Sequence, residues 1–278
     1  MREATEWLRI AQFTRTFRLA TGSANFSIAD ADALLELIYS KPTGRIVVVA
    51  GQAVNFWADR YLSKESRLAE YRPFTSRDVD LLGSIANAQR LAEEVHADLE
   101  EPRKRKSGAS PVVANVKVST GGVIRSIQFL RHVRGVTNSE ITENAIPFRR
   151  GKITLYFSDP ITMFKAKLHN LVELSQEGRN DARHVEILRL CIPVFLRAQL
   201  RSADKTDAAA KQSLRAVQRV LKLSKSQIVR RIPSEVRFDW KQLIPIARLK
   251  RIQNQRIKNF RENQLKRWLA LERINRRS

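Results

Sequence analysis

Hydrophobic positions change period several times along this chain. Between Glu3 and Leu19 they recur at helical spacing, at Trp7, Ile10, Ala11 and Phe17. A second helical stretch, Ile28 to Tyr39, follows the Thr21-Gly22-Ser23 turn, with Asp30 and Asp32 as its acidic start, and ends at Lys41-Pro42-Thr43-Gly44. The β-branched run Arg45-Ile46-Val47-Val48-Val49 predicts a strand, closed by Ala50-Gly51, and helical spacing resumes from Gln52 to Leu62. Thr75 to Leu82 predicts a second strand. Ser84 to Glu100 predicts a helix with Ile85, Ala88, Leu91, Ala92 and Val95 on one face. Val112 to Val118 and Val123 to Leu130, joined by Ser119-Thr120-Gly121-Gly122, predict a hairpin, and Ile153 to Phe157 a further strand.

Beyond Ser158-Asp159-Pro160, where the proline suits a first helical turn, the pattern is almost wholly helical. One helix runs through Met163, Phe164, Leu168, Leu171 and Val172. Another spans His184 to Leu200, with Pro193 as a kink or break, and a third spans Ala208 to Leu223. Leu249 to Arg277 predicts a single helix with Leu249, Ile257, Phe260, Leu265, Trp268 and Leu271 in one stripe and Lys and Arg on most other faces. The order of elements implies an α/β (α+β) chain, with N-terminal helices at 1–40, a sheet-containing core at 41–160 and a helical C-terminal domain at 161–278. There is no internal repeat and no low-complexity tract.

Two pieces of this pattern carry candidate chemistry. The strand, Ala50-Gly51 turn and helix make a corner where glycine lets a ligand approach the backbone, and the first helical N–H groups point their positive dipole end at it. Such a corner suits a phosphate. In Ser76-Arg77-Asp78-Val79-Asp80-Leu81, residues two apart share a strand face, so Asp78 and Asp80 stand together while Val79 and Leu81 face the core. Paired carboxylates repel unless a cation sits between them, and Mg2+ is held by one or two carboxylates plus substrate phosphates. A lone Asp-x-Asp is also what a solvated strand end looks like.

Composition adds a strong bias: 51 Lys+Arg against 28 Asp+Glu give a net charge of +23 and a pI near 11.0. Nucleic acid is the partner that such an excess favours, ahead of an anionic membrane surface or a merely soluble basic surface. The basic loop Glu101 to Gly108 fits either a solvated turn or an RNA contact. One cysteine, Cys191, excludes an internal disulfide framework and sits among apolar neighbours as a core residue. The amino terminus lacks the apolar region of a signal peptide and no run is long enough to span a bilayer, so a soluble cytoplasmic protein is expected. His96, His132, His169 and His184 do not have zinc-ligand spacing.

Gly51-Gln52-Ala53-Val54-Asn55 followed by Ser76-Arg77-Asp78-Val79-Asp80 resembles the polymerase-beta-type nucleotidyltransferases, in particular the AbiEii-like toxin branch. Two further stretches resemble the same family: Met163-Phe164-Lys165-Ala166-Lys167-Leu168-His169-Asn170, its lysine motif, and Arg179-Asn180-Asp181-Ala182-Arg183-His184, its final aspartate motif. The resemblance spans Arg45 to Leu190. It implies a mixed sheet of nucleotidyltransferase type flanked by helices, with metal binding by Asp78 and Asp80 and nucleotide binding by Gly51, Gln52, Ser76 and Lys167. Asp181 joins Asp78 and Asp80 as a catalytic position. The chain departs from the family at Ile127-Gln128-Phe129-Leu130, where a third carboxylate is expected and Gln128 stands. An amide offers a carbonyl oxygen to a metal but neither charge nor a base, so Glu140, Glu143 or the substrate itself has to take the acceptor's proton.

The expected activity is transfer of a nucleoside monophosphate from an NTP, with Mg2+ or Mn2+, to an RNA acceptor such as tRNA. The resemblance implies a toxin or abortive-infection role beside a cognate antitoxin. Two alternatives stay open: an RNA-binding protein that kept the fold and lost turnover through Gln128, and a nucleotidyltransferase that modifies a protein.

Overall fold

The computed structural model describes residues 46–101, 111–120 and 123–274, together with Leu35, Ile38 and Tyr39. The helices expected before residue 35, the Lys41 to Gly44 break and most of the basic loop, 102–110, lie outside the described residues. Leu35, Ile38 and Tyr39 are helical and buried, and Tyr39 Oη donates to the Ile46 carbonyl at 2.5 Å. The chain forms two compact units: residues up to Asp59 with Arg72–Ala166, and Arg60–Tyr71 with Lys167–Ser278.

The first unit is built on a mixed seven-stranded sheet of order β3-β4-β5-β2-β1-β7-β6. Its strands are β1 (Val47–Val48), β2 (Asp78–Leu82), β3 (Asp98–Glu100), β4 (Val112–Thr120), β5 (Val123–Leu130), β6 (Ile146–Arg150) and β7 (Ile153–Phe157). β1 runs antiparallel to β2 and parallel to β7, and β2 runs parallel to β5. Helices α1 (Ala50–Tyr61), α2 (Ile85–Val95), α3 (Asn138–Asn144) and the start of α4 (Pro160–Glu173) connect them. Both β1 and β2 are shorter than their apolar patterns suggest. Val49 lies beyond β1, yet its N–H still bonds the Asp80 carbonyl at 2.9 Å.

Strict alternation governs the middle of the sheet. Val79 and Leu81 on β2, Ala114 and Val116 on β4, and Ile127 and Phe129 on β5 are fully buried, with α2 against β3, β4 and β5. The β2–α2 junction is tight: a Cβ on Gly83 would stand 3.1 Å from the Phe129 ring and 3.3 Å from Asn87 Oδ1. Ser84 and Asn87 then cap α2 reciprocally, Ser84 N–H donating to Asn87 Oδ1 at 2.9 Å and Asn87 N–H to Ser84 Oγ at 3.3 Å.

Three expectations fail here. The helix predicted to reach Glu100 stops at His96, which takes a left-handed conformation with φ 50°. Asp98-Leu99-Glu100 instead joins the sheet edge, antiparallel to β4, where Lys117 Nζ meets Glu100 Oε1 at 2.5 Å. Neither α3 nor β6 was expected. Pro147 obscures β6, and the position works because β6 is an edge strand that need not donate on its outer side. The helix expected from Gln52 begins at Ala50, which takes φ 51°, so that Gly51 is the second residue of α1 and not a turn ahead of it.

The second unit is helical. It holds the end of α4, α5 (Asp181–Gln199), α6 (Asp207–Ser224), α7 (Gln227–Arg230), α8 (Ile246–Arg251), α9 (Gln255–Phe260) and α10 (Lys266–Ile274). α5 continues through Pro193 and buries Val185, Leu188, Cys191, Val194 and Phe195. Burial pushes the Cys191 thiol's pKa well up, so it packs as a small apolar group. The single helix expected from Leu249 to Arg277 is broken. Asp204 Oδ1 accepts from the N–H groups of Gln253 (2.8 Å) and Asn254 (3.1 Å), Asn254 caps α9, and a π-helical turn at Arg261–Leu265 leads to α10. Five of the six residues of its apolar stripe nevertheless stay inside, Leu249, Ile257, Phe260, Leu265 and Trp268, whereas Leu271 is 49% exposed.

Candidate functional site

Alternation along β2 puts Asp78 and Asp80, both partly buried, on the face opposite Val79 and Leu81. The register extends that face across two more strands. Asp78 pairs with Ser126 and Asp80 with Gln128 on parallel β5, while Lys117 and Asn115 on β4 stand opposite Ser126 and Gln128. Two polar rows result, Asp78-Ser126-Lys117 and Asp80-Gln128-Asn115, on a sheet whose other face is apolar core. Ser126 has one hydroxyl proton and two acceptors beside it, Asp78 and Asn115 Oδ1. Burial raises the pKa of the Asp78 carboxyl, against the charge of Arg77 and the Ser126 hydrogen bond.

The β1–α1 corner is fastened to this strand by the Val49 N–H bond to the Asp80 carbonyl. The α1 ladder begins with Ala53 N–H to Val49 at 3.3 Å, which leaves the N–H groups ahead of it outside that ladder. Gly51 to Ala58 are buried without interruption, so α1 has no solvated face over its first two turns. Two of these residues are polar. Gln52 Oε1 and both side-chain polar atoms of Asn55 are buried with no hydrogen-bond partner, as is Ser158 Oγ just beyond β7. The Ser158 backbone is satisfied, by Val48 O at 2.9 Å and Trp57 Nε1 at 2.8 Å, so only its hydroxyl lacks a partner. Buried polar groups of this kind cost about 1–3 kcal/mol each unless a ligand or water completes them.

No protein-family model matches the chain, and no curated protein matches it. The chemistry of the site therefore rests on the residues themselves.

Ser76 forms an isolated bridge two residues before Asp78 and is partly buried. Of the candidate bases, Glu140 is held by Lys165 Nζ at 2.7 Å, and Glu143 is exposed. Lys167 and Asp181 belong to the second unit and meet there, Lys167 Nζ standing 2.9 Å from Asp181 Oδ1. Arg179 Nε reaches Asp181 Oδ2 at 2.6 Å and Asn170 donates to Oδ1 at 3.3 Å. Burial pushes the Asp181 pKa up, and the charges and hydrogen bonds of Lys167 and Arg179 more than offset it, leaving the carboxyl below its ordinary range. The Lys167 ammonium is thus held by a carboxylate. His184, one turn on, is lowered to about 3 by burial and by the Lys167 charge, and its Nδ1 has no partner.

Among the described residues no three or more His, Cys, Asp and Glu side chains group to hold a metal. The donor set on the sheet is two carboxylates with the Gln128 amide beside them. That set does not make a protein cage, but it fits an ion that arrives with phosphate ligands of its own, as Mg2+ does. Asn55, Asn115 and Ser158 were not singled out from sequence. Asn55 lies three residues after Gln52 and so on the same helix face, whereas Asn115 and Ser158 become visible only through strand pairing.

Proposed function

We propose that this chain is a divalent-metal-dependent nucleotidyltransferase that moves a nucleoside monophosphate from an NTP to a polynucleotide acceptor, with RNA such as tRNA favoured by the net charge. The observation that carries this reading is the joining of corner to carboxylates: Val49 N–H bonds the carbonyl of Asp80, and Asp78 and Asp80 share one sheet face. Asp78 and Asp80 would hold the ion, which when bound neutralises phosphate charge. Gly51 and the first turn of α1 would face the phosphates, and the unpartnered Gln52 Oε1 and Asn55 side-chain amide supply polar groups to nucleotide or water. Positioning and charge neutralisation supply most of the rate. Gln128 takes no proton, and Glu140 is engaged with Lys165, so the acceptor hydroxyl gives its proton to Asp78, to solvent or to the substrate's own phosphate.

The fold of nucleotidyltransferase type, the toxin role and a cognate antitoxin belong to the same proposal and are supported by the motif resemblance. The test incubates the protein with each α-labelled NTP, Mg2+ and total tRNA. Label moving onto RNA, and lost in Asp80→Asn and in EDTA, supports the reading. No transfer with any NTP, together with identical cellular effects of wild type and Asp78→Ala, overturns it. A second reading, an RNA-binding protein without turnover, is favoured by Gln128 standing directly opposite Asp80. Transfer that appears only in Gln128→Asp selects it.

A further inference from the structure

We infer that the second unit carries a binding site for a single-stranded polynucleotide, formed by the cationic stripe of α6 and the aromatic cavity at that helix's C-terminal end. Lys211, Arg215, Arg219 and Lys222 are spaced by four, four and three residues, which places them on one helical face. Lys211, Arg215 and Lys222 are exposed, while Ala210, Leu214, Val217 and Leu221 bury the opposite face. At roughly 1.5 Å per residue the stripe is about 16 Å long, enough to follow several consecutive phosphates.

No acidic residue occurs between Asp207 and Glu235, and residues 167–278 hold 27 Lys+Arg against 10 Asp+Glu, a surplus of +17 in the chain's +23. Solubility is served by mixed signs; a field of one sign over one helix steers a polyanion.

The C-terminal end of α6, just past Lys222, borders a cavity of about 560 Å3 whose lining includes Ser224 and Lys225. Trp240 and Trp268 are buried in its lining, Phe238 is half-buried, and Leu271 is 49% exposed. The Phe238 ring is held by Trp240, 5.1 Å between centroids, and by the Arg189 guanidinium at 5.9 Å. Exposed Lys225, Arg230 and Arg237 stand at the same cavity with one carboxylate, Asp239, whose Oδ1 accepts from the Lys241 N–H at 3.0 Å, and among the described residues Lys225 and Arg230 have no carboxylate partner. Flat apolar surface beside cations matches an unstacked base with its phosphate, whereas a duplex keeps its base faces covered.

The site rests on the proposed polynucleotide acceptor for its purpose but not for its existence. Binding is therefore measured on the full chain without NTP and in EDTA, where failed transfer chemistry cannot imitate failed binding. The probes are fluorescent oligo-rU and oligo-dT twelve-mers, a duplex of equal length, polyglutamate and phosphatidylserine vesicles. The inference is supported if the single strands bind at least tenfold tighter than the other three, and an rU or dT preference then names the sugar. Lys211→Gln/Arg215→Gln/Lys222→Gln should lower the slope of log affinity against log salt by about 2. Phe238→Ala should weaken binding about tenfold at unchanged slope, with Leu271→Ser as the exposed substitute should Phe238→Ala fail to fold. Equal binding of duplex, polyglutamate or vesicles, or an unchanged slope in a triple variant that melts like wild type, overturns it.

Discussion

Asp80 and Gln128 stand opposite one another on parallel strands, and Asn115 completes their row. An amide there leaves the two β2 carboxylates without a third charge. Gln128→Asp should therefore destabilise the metal-free protein by about 1 kcal/mol through like-charge repulsion. Millimolar Mg2+ or Mn2+ should reverse that loss and raise the variant's Tm more than the wild type's, because an ion that binds only the native site stabilises it by mass action. Melting curves in EDTA and in metal decide the matter, and a Tm indifferent to metal in both proteins argues against an ion on this face.

Ala50 connects β1 to α1 with φ 51°, a conformation in which the alanine Cβ crowds the backbone. Ala50→Gly should raise stability by about 1 kcal/mol, part of the relief being offset by the greater freedom of glycine in the unfolded chain. Denaturant titration would read this as a higher midpoint at constant m. A lower midpoint would mean that the methyl group contributes packing that outweighs the strain.

The sheet was legible where one face is buried and the other is not. Asp78-Val79-Asp80-Leu81 and Ile127-Gln128-Phe129 alternate, and alternation is a local property. It failed where tertiary context decided: Asp98-Leu99-Glu100 has no strand pattern of its own and joins the sheet because β4 offers an edge. Likewise the break after Arg251 comes from Asp204, 49 residues from Gln253, whose carboxylate draws two backbone N–H groups out of helical geometry. Asp78 and Asp80 were readable as a pair. The Lys167–Asp181 contact was not, because nothing in the spacing of two separate motifs says that their charges meet.

That buried pair makes its own prediction. Lys167→Met leaves the Asp181 carboxylate, 2% exposed, with Arg179 and Asn170 as remaining partners. Loss of one member of such a pair costs about 3–5 kcal/mol, and Arg179, itself partly exposed, should reduce that to about 2–3 kcal/mol. Adding Asp181→Asn to Lys167→Met should recover most of the loss, since no unpaired charge then stays buried. Urea unfolding of the two single variants and the double variant tests this, and strictly additive losses would show that the two side chains are not coupled.

His184 sets a pH dependence separable from that of the carboxylates. Its native pKa is lowered to about 3 from 6.5 by burial first, then by the Lys167 charge, opposed by Asp181, with Arg183 and Arg179 also lowering it. Between those two values the unfolded chain binds a proton that the native chain refuses. The stability that neutral His184 contributes is full above pH 6.5 and is lost as the pH falls toward 3, at about 1.4 kcal/mol per unit, or roughly 2 kcal/mol by pH 5. Asp181 acts in the same direction only as the pH falls below its unfolded value of 3.8, at the acid end of this window and beneath pH 5. Asp78 acts in the opposite direction, its buried carboxyl favouring the protonated form, so native stability rises as the pH falls through its raised pKa. His184→Gln should therefore flatten the fall in Tm between pH 6.5 and 5. Parallel Tm profiles for wild type and His184→Gln over that range would mean that the imidazole titrates in the native state as it does in water.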